Sequence, residues 1–218
     1  MSSVDIARAL PSIAEVRALS RAFATLDAVL GGGWPHTFDR AWRPGHELAT
    51  MSDGGGDAYS IVFTPDGALL LGFDHESEMS PYGSDDYATW PGLVDDVPGV
   101  FSELLASPEF GHQGPDGPFL AATVCIWRGH DDPAWRTGDI EFPPGDDPDG
   151  ASWLFGTLAS ATPETLLDYA TRHAGRGVVE LSDIKAVLGH RRLTSDLLER
   201  LNPVADPAML AEALDRIG

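Results

Sequence analysis

The chain has 218 residues, 43% of them hydrophobic, with 14 basic against 34 acidic side chains and a formal net charge of −20. That composition is globular rather than disordered, and a chain of this length buries roughly 70% of its unfolded surface. The charge excludes nucleic acid as a generic ligand, because phosphate binding needs clustered cations to release counterions, and it sets the chain against anionic membrane surfaces for the same reason.

The elements follow in chain order. Pro11 to Leu30 reads as a helix: Ser12 and Glu15 have the spacing of a capping box, and Ile13, Val16, Leu19, Phe23, Leu26 and Leu30 form one apolar stripe. Gly31, Gly32 and Gly33 end it. Trp34 to Arg43 reads as irregular and aromatic, because Pro35 and Pro44 forbid a regular helix there. Three strands are expected next, over His46 to Met51, Ala58 to Thr64 and Ala68 to Phe73. A glycine loop (Ser52 to Asp57) and a Pro65-Asp66-Gly67 turn join them into an antiparallel meander.

Asp74 to Pro91 is polar, aromatic and rich in turn residues. The apolar spacing of Val97, Val100, Phe101, Leu104 and Leu105 predicts a helix within Leu93 to Leu105, starting near Pro98. Gly111 to Pro118 reads as a loop, Phe119 to Trp127 as a central strand and Trp135 to Phe142 as a shorter one. Pro143 to Gly150 is an acidic turn segment in which Asp149 is placed to cap the next helix. Helices are expected over Ala151 to Ala159, Thr162 to His173, Leu181 to Leu188, Thr194 to Leu201 and Pro207 to Ile217. Segregated strands and helices give an α+β class: a mostly antiparallel sheet of three to five strands with flanking helices, and a helical C-terminal region. The expected division is a sheet domain over 1–150 and helices over 151–218 packed on the same core.

The acid is 23 Asp against 11 Glu, and the Asp residues concentrate in turns. Cys125 is the one cysteine, which excludes an internal disulfide and a thiolate zinc cluster. The N-terminal residues lack the basic and apolar regions of a signal peptide. The longest apolar stretch, Phe119 to Trp127, falls far below the ~20 residues that span a bilayer. A cytoplasmic setting with no membrane association is the expectation. No metal and no cofactor is assigned, and the sequence leaves the oligomeric state open.

One segment concentrates chemistry: Asp74, His75, Glu76 and Glu78, followed by Tyr82, where a hydrophobic strand ends. Three functional uses compete. His75 with Asp74 or Glu76 could form a tuned acid–base pair, with Ser77 or Ser80 as nucleophile. The carboxylates and the imidazole could hold Mn²⁺, Fe²⁺ or Zn²⁺, although on a continuing strand His75 would face away from Asp74, Glu76 and Glu78. An acidic-aromatic loop could instead meet a basic protein partner, with Trp34, Trp42, Tyr82, Tyr87 and Trp90 as anchors. Against all three stands a structural use, in which Asp74 and Ser77 bond turn amides and His75 ties the loop to the sheet. The Ser52 to Asp57 loop lacks the Gly-Lys-Ser/Thr of a phosphate loop, and the acidic segment at Asp146, Asp147 and Asp149 lacks the spacing of an EF-hand.

The run Gly72-Phe73-Asp74-His75-Glu76-Ser77-Glu78-Met79-Ser80-Pro81-Tyr82, then Trp90-Pro91-Gly92, Cys125-Ile126-Trp127-Arg128, Trp135 to Ile140 and Asp149-Gly150, resembles a family of bacterial proteins with this same order of motifs, over about Val16 to Asn202. That resemblance carries no activity and transfers no catalytic residue. In general character the chain is similar to small acidic immunity proteins of the SMI1/KNR4-like group, which neutralise toxins. The resemblance implies a non-enzymatic protein-binding module. The alternative is a metal-dependent or acid–base hydrolase centred on Asp74 to Glu78.

Overall fold

Five strands form one antiparallel sheet in the order β1-β2-β3-β4-β7: β1 Thr37–Arg43, β2 His46–Ser52, β3 Ala58–Thr64, β4 Gly67–Phe73 and β7 Val124–Gly129. A separate hairpin pairs β5 (Gly111–Gly114) with β6 (Gly117–Leu120). The structure is a computed structural model and describes residues 1–31, 36–173, 178–189 and 193–218. Eight α-helices are found among the described residues: α1 Ser3–Ala9, α2 Ile13–Leu30, α3 Ser102–Leu105, α4 Ala151–Ala159, α5 Pro163–His173, α6 Leu181–Leu188, α7 Ser195–Leu201 and α8 Pro207–Ile217. The class is α+β, with an antiparallel sheet and C-terminal helices. No helix among the described residues is long and apolar enough to cross a membrane.

The pleat divides the apolar residues between two cores. Tyr59, Ile61, Phe63, Ala68, Leu70, Val124 and Ile126 point to one face and pack with α1, α2, α4, α5 and α6. Val62, Leu69, Leu71, Cys125 and Trp127 point to the other and pack with Met79, Leu93, Phe101, Leu104 and Phe110. Every residue of β4 is buried, because both faces of that strand are covered. Fully burying a leucine such as Leu69 or Leu70 stabilises the fold by about 1.5–3 kcal/mol. Residues of the C-terminal helices, among them Leu154, Phe155, Leu166 and Ile184, share the first core with the sheet. Gly72 lets α4 approach closely: a Cβ there would lie 2.8 Å from both Leu154 Cδ1 and Phe155 Cε2.

Local chemistry explains the boundaries. The Ser12 hydroxyl accepts from the Glu15 amide while the Glu15 carboxylate accepts from the Ser12 amide, and Gly31 closes α2 at φ 71°. The Ser12 hydroxyl also donates to that carboxylate (2.6 Å), and this bond together with the one from the Ser12 amide holds the Glu15 carboxyl below its ordinary range. Thr194 and Asp206 cap α7 and α8 through their side chains.

Several expectations are corrected. Thr37–Arg43 is an edge strand rather than irregular chain, and its pairing with β2 is interrupted between Asp39 and Arg43. The Phe119 to Trp127 run divides between β6 and β7: Leu120 pairs with Gly111 in the hairpin, whereas the Thr123 amide donates to the Gly72 carbonyl of β4 (2.8 Å) and its hydroxyl to the Asp149 carbonyl (2.8 Å). Gly111 to Leu120 forms a hairpin where a loop was expected up to Pro118. Leu93 to Leu105 supplies only α3 and a preceding 3₁₀ turn, since Pro98 bars helix from continuing upstream. Trp135 to Phe142 makes a single bridge, Arg136 to Trp127. The helix α1 lacks the length for a readable period.

Candidate functional site

The dense segment leaves the sheet at once. The strand β4 ends at Phe73, so Asp74 to Ser80 is a chain of turns and the side-to-side alternation of a continuing strand does not apply. The Asp74 carboxylate turns back on its own chain and accepts the Glu76 amide (2.9 Å). The Ser77 hydroxyl donates to the Pro148 carbonyl (2.7 Å) and accepts from the Met79 amide (3.0 Å), so it is a staple between two loops rather than a nucleophile. Ser80 is buried. Glu76 and Glu78 are exposed.

His75 takes its main partner from across the sheet. Ala58 pairs with Phe73, which sets Asp57 opposite the start of the turn. Oδ1 of Asp57 accepts from the His75 amide (3.0 Å) and lies 2.7 Å from His75 Nδ1. Oδ2 accepts from Trp153 Nε1 (2.9 Å), on the first turn of α4. Burial pushes the Asp57 carboxyl up, but its bonds with His75 and Trp153 outweigh this and hold it low. The bond to Asp57 raises His75, and the charges of Asp57, Glu76 and Asp74 add to that. Glu76 reaches only 4.0 Å from Nε2, so Asp57, not a sequence neighbour, is the acid of the pair.

The N-terminus of α4 completes the surroundings. Asp147 accepts from the Ser152 and Trp153 amides (both 2.9 Å), supplying most of the capping expected of Asp149. Asp149 is fully buried and accepts from Ala151 (3.1 Å) and, across the molecule, from the Ser3 amide (2.8 Å). Burial drives its carboxyl upward. Gly150, at φ 75°, passes so near Asp74 that a Cβ would lie 2.4 Å from the Asp74 Cβ. Burial also raises Asp74, and the negative charges of Asp57 and Asp147 add to it.

One oxygen each from Asp57 and Asp74 and one nitrogen of His75 lie within 4.8 Å of one another, a spacing that could hold a divalent cation. A cation on Nδ1 would have to replace the proton that Asp57 accepts. Glu76 and Glu78 are not part of this group. His46 sits at the opposite end of β2, with Nδ1 2.9 Å from the Pro44 carbonyl.

Beyond Ser80 the segment becomes aromatic. Tyr82, 53% exposed, meets Tyr87 edge-on (5.7 Å), Phe119 edge-on (5.3 Å) and Phe73 (6.0 Å). Its hydroxyl lies 2.8 Å from His112 Nδ1, and Tyr87 packs on Phe119 at 4.8 Å. Tyr87 adopts φ 54°, uncommon for a bulky residue. Rings from the end of β4, the following loop and the β5–β6 hairpin thus form one surface platform. Glu78, Asp85, Asp86 and Asp116, from the same loop and hairpin, are all exposed.

The other aromatics have different settings. Trp90 and Trp42 pack against the second core. Trp90 donates Nε1 to the Glu141 carbonyl (3.0 Å), and the Arg43 guanidinium lies 4.0 Å over the Trp42 ring. Trp34 lies outside the described residues. Phe119, His112 and Asp57 were not singled out in the sequence. The signal for Asp57 was present, since the Pro65-Asp66 turn sets the β3–β4 register and so names the residue opposite Asp74.

No family model, no curated protein and no solved structure matches the chain.

Proposed function

We propose that this protein is a non-enzymatic binding module, immunity-like in character, that docks its aromatic platform on a basic protein. The carrying observation is the ring cluster of Tyr82, Tyr87, His112 and Phe119, in which Tyr82 and His112 are exposed and Tyr87 and Phe119 half-buried, on the same loop and hairpin as the exposed Glu78, Asp85, Asp86 and Asp116. Aromatic anchors mutually fixed before binding lose little conformational freedom, and an acidic surround steers a cationic surface onto them. A net charge of −20 speeds that encounter and discourages self-association. The test is surface plasmon resonance against cationic proteins encoded by neighbouring genes, at low and high salt. The reading expects a partner whose association slows with salt and whose dissociation accelerates at least about tenfold in Tyr82→Ala. Unchanged dissociation in that variant, or no salt-sensitive partner, refutes it.

A second reading, a metal-dependent or acid–base hydrolase, draws support from the Asp57, Asp74 and His75 group. Calorimetric titration of the purified chain with Mn²⁺ and Zn²⁺ tests its metal-dependent form. Stoichiometric binding lost in Asp74→Asn favours it, and no binding removes the metal. An acid–base hydrolase would then have to show turnover of generic ester substrates that His75→Gln abolishes.

A further inference from the structure

A second acid–base group lies on the helical face, away from the dense segment. Asp27, on the buried side of α2, is 5% exposed. Its Oδ1 accepts the Tyr169 hydroxyl of α5 (2.6 Å), and its Oδ2 accepts the His36 amide (3.0 Å) and lies 2.8 Å from His36 Nδ1. A carboxylate can only accept, so Nδ1 carries a proton, and the neutral tautomer that this bond selects has its lone pair on Nε2. Phe23 stacks on that ring at 4.9 Å and Tyr169 meets it edge-on at 5.8 Å, which locks its plane. Among the described residues no hydrogen bond reaches Nε2.

His36 also lines a cavity of about 270 Å³, walled mainly by Tyr59, Trp153, Leu158 and Tyr169, with Asp53 and Arg172 as its charged lining residues. An apolar cavity of roughly 150 Å³ holds benzene, so this one has room for one or two rings. Tying α2 to α5 and to the start of β1 accounts for Asp27, for Nδ1 and for the Tyr169 bond. It does not account for an oriented imidazole with an uncommitted nitrogen beside an aromatic-walled cavity. Small-molecule sites combine these features: apolar walls and a few fixed polar groups. A carboxylate behind Nδ1 makes the far nitrogen a better acceptor.

We propose that this cavity binds a small planar molecule of one or two rings whose O–H or N–H group donates a hydrogen bond to Nε2 of His36, with Asp27 and Tyr169 as positioning residues. Four probes test it on the full chain: phenol and indole, which carry the donor, and anisole and N-methylindole, in which it is capped. The ¹⁵N resonance of His36 Nε2 is followed in the unmodified protein. Phenol and indole are expected to bind at least about tenfold more tightly than their capped analogues and to shift that resonance. His36→Phe retains an aromatic ring against Phe23 and should lower phenol to the level of anisole. Thr157→Phe, at an exposed position on the cavity wall, should weaken phenol about tenfold by occupying space while the protein still folds. Equal binding of capped and uncapped probes, binding that leaves the Nε2 resonance unmoved, or no binding by any of the four overturns the proposal.

Discussion

Removing the Asp57 side chain should cost more than removing any acid of the dense segment. The carboxylate accepts from the His75 amide (3.0 Å), pairs with His75 Nδ1 (2.7 Å) and accepts from Trp153 Nε1 (2.9 Å), so Asp57→Ala strips three bonds at once. Hydrogen bonds to a charged group contribute about 1.5–3 kcal/mol each, but His75 and Trp153 are partly exposed and water recovers some of that. A net loss of about 3 kcal/mol follows, or about 6–12 °C in melting temperature for a chain of this size. Asp57→Asn removes the charge and keeps one acceptor for His75 while setting its NH2 against Trp153 Nε1, so the charge is read from the pH dependence of its deficit, not from the size of the deficit. His75 is raised in the fold, so its contribution is complete below its ordinary value of 6.5 and is lost as pH climbs through the raised value. Asp57 is lowered, so its contribution is present above its ordinary 3.8 and is lost as pH falls through the lowered value. The pair therefore stabilises most between about pH 4 and about pH 6.5. Urea denaturation should show a larger deficit for Asp57→Asn at about pH 5.5 than at about pH 8. An Asp57→Ala loss under about 1 kcal/mol, or an Asp57→Asn deficit equal at both pH values, would refute the reasoning.

Two glycines of the α4 region make a contrasting pair. Gly150→Ala forces φ 75° on an alanine and drives its Cβ into Asp74, so a loss of about 1–3 kcal/mol is expected by urea denaturation, whereas Gly156→Ala, with only Ser152 Oγ at 3.8 Å, should be neutral or stabilising by up to about 1 kcal/mol. Equal effects would contradict the geometry. Cys125 is buried in the sheet and burial pushes its thiol up to about 12, so thiol reagents should label the native protein only at the rate at which it opens. Labelling as fast as that of a free thiol would disprove this.

The sheet was legible where one physical rule governed a segment. Ala58 to Phe73 contains two apolar runs around a two-residue turn, and the structure keeps those strands with a shift of at most one residue at their ends. Ser12 and Glu15 announced α2 because the capping box is local. Legibility failed where tertiary bonds overrode local pattern. Nothing in Phe119 to Trp127 marks the break at Thr123, whose hydroxyl is committed to Asp149 far along the chain. Leu93 has an apolar partner spacing but packs into the second core from an irregular segment. The candidate site was half legible: His75 and its neighbours stood out, but the acid that engages it arrives through strand pairing. Asp27 left a fainter mark. It lies four residues after Phe23 on the buried stripe of α2, and a charge on an apolar stripe needs a partner.

The acidic charge divides by position, and the division bears on how the C-terminal helices are held. Most of the 23 Asp residues are on the surface or in turns, where they bond local amides as Asp53 does with Gly55, Gly56 and Asp57. Four are buried: Asp27, Asp57, Asp149 and Asp183. Each of these reaches another element: Asp27 to Tyr169 of α5, Asp57 to Trp153 of α4, Asp149 to Ser3 of α1 and Asp183 to Arg200 of α7. Removing a buried carboxylate's partners would leave a desolvated charge, so each bond opposes any packing that separates the two elements. Apolar contacts alone tolerate sliding and repacking, whereas a carboxylate facing a single donor set does not. The helices after Gly150 are therefore held in register on the sheet and on one another by directional acid contacts as well as by the shared core. Exposed acids add weaker, solvent-screened links, as Asp215 does with Arg40 of β1 and Glu109 with Arg43, and otherwise set the charge of the surface.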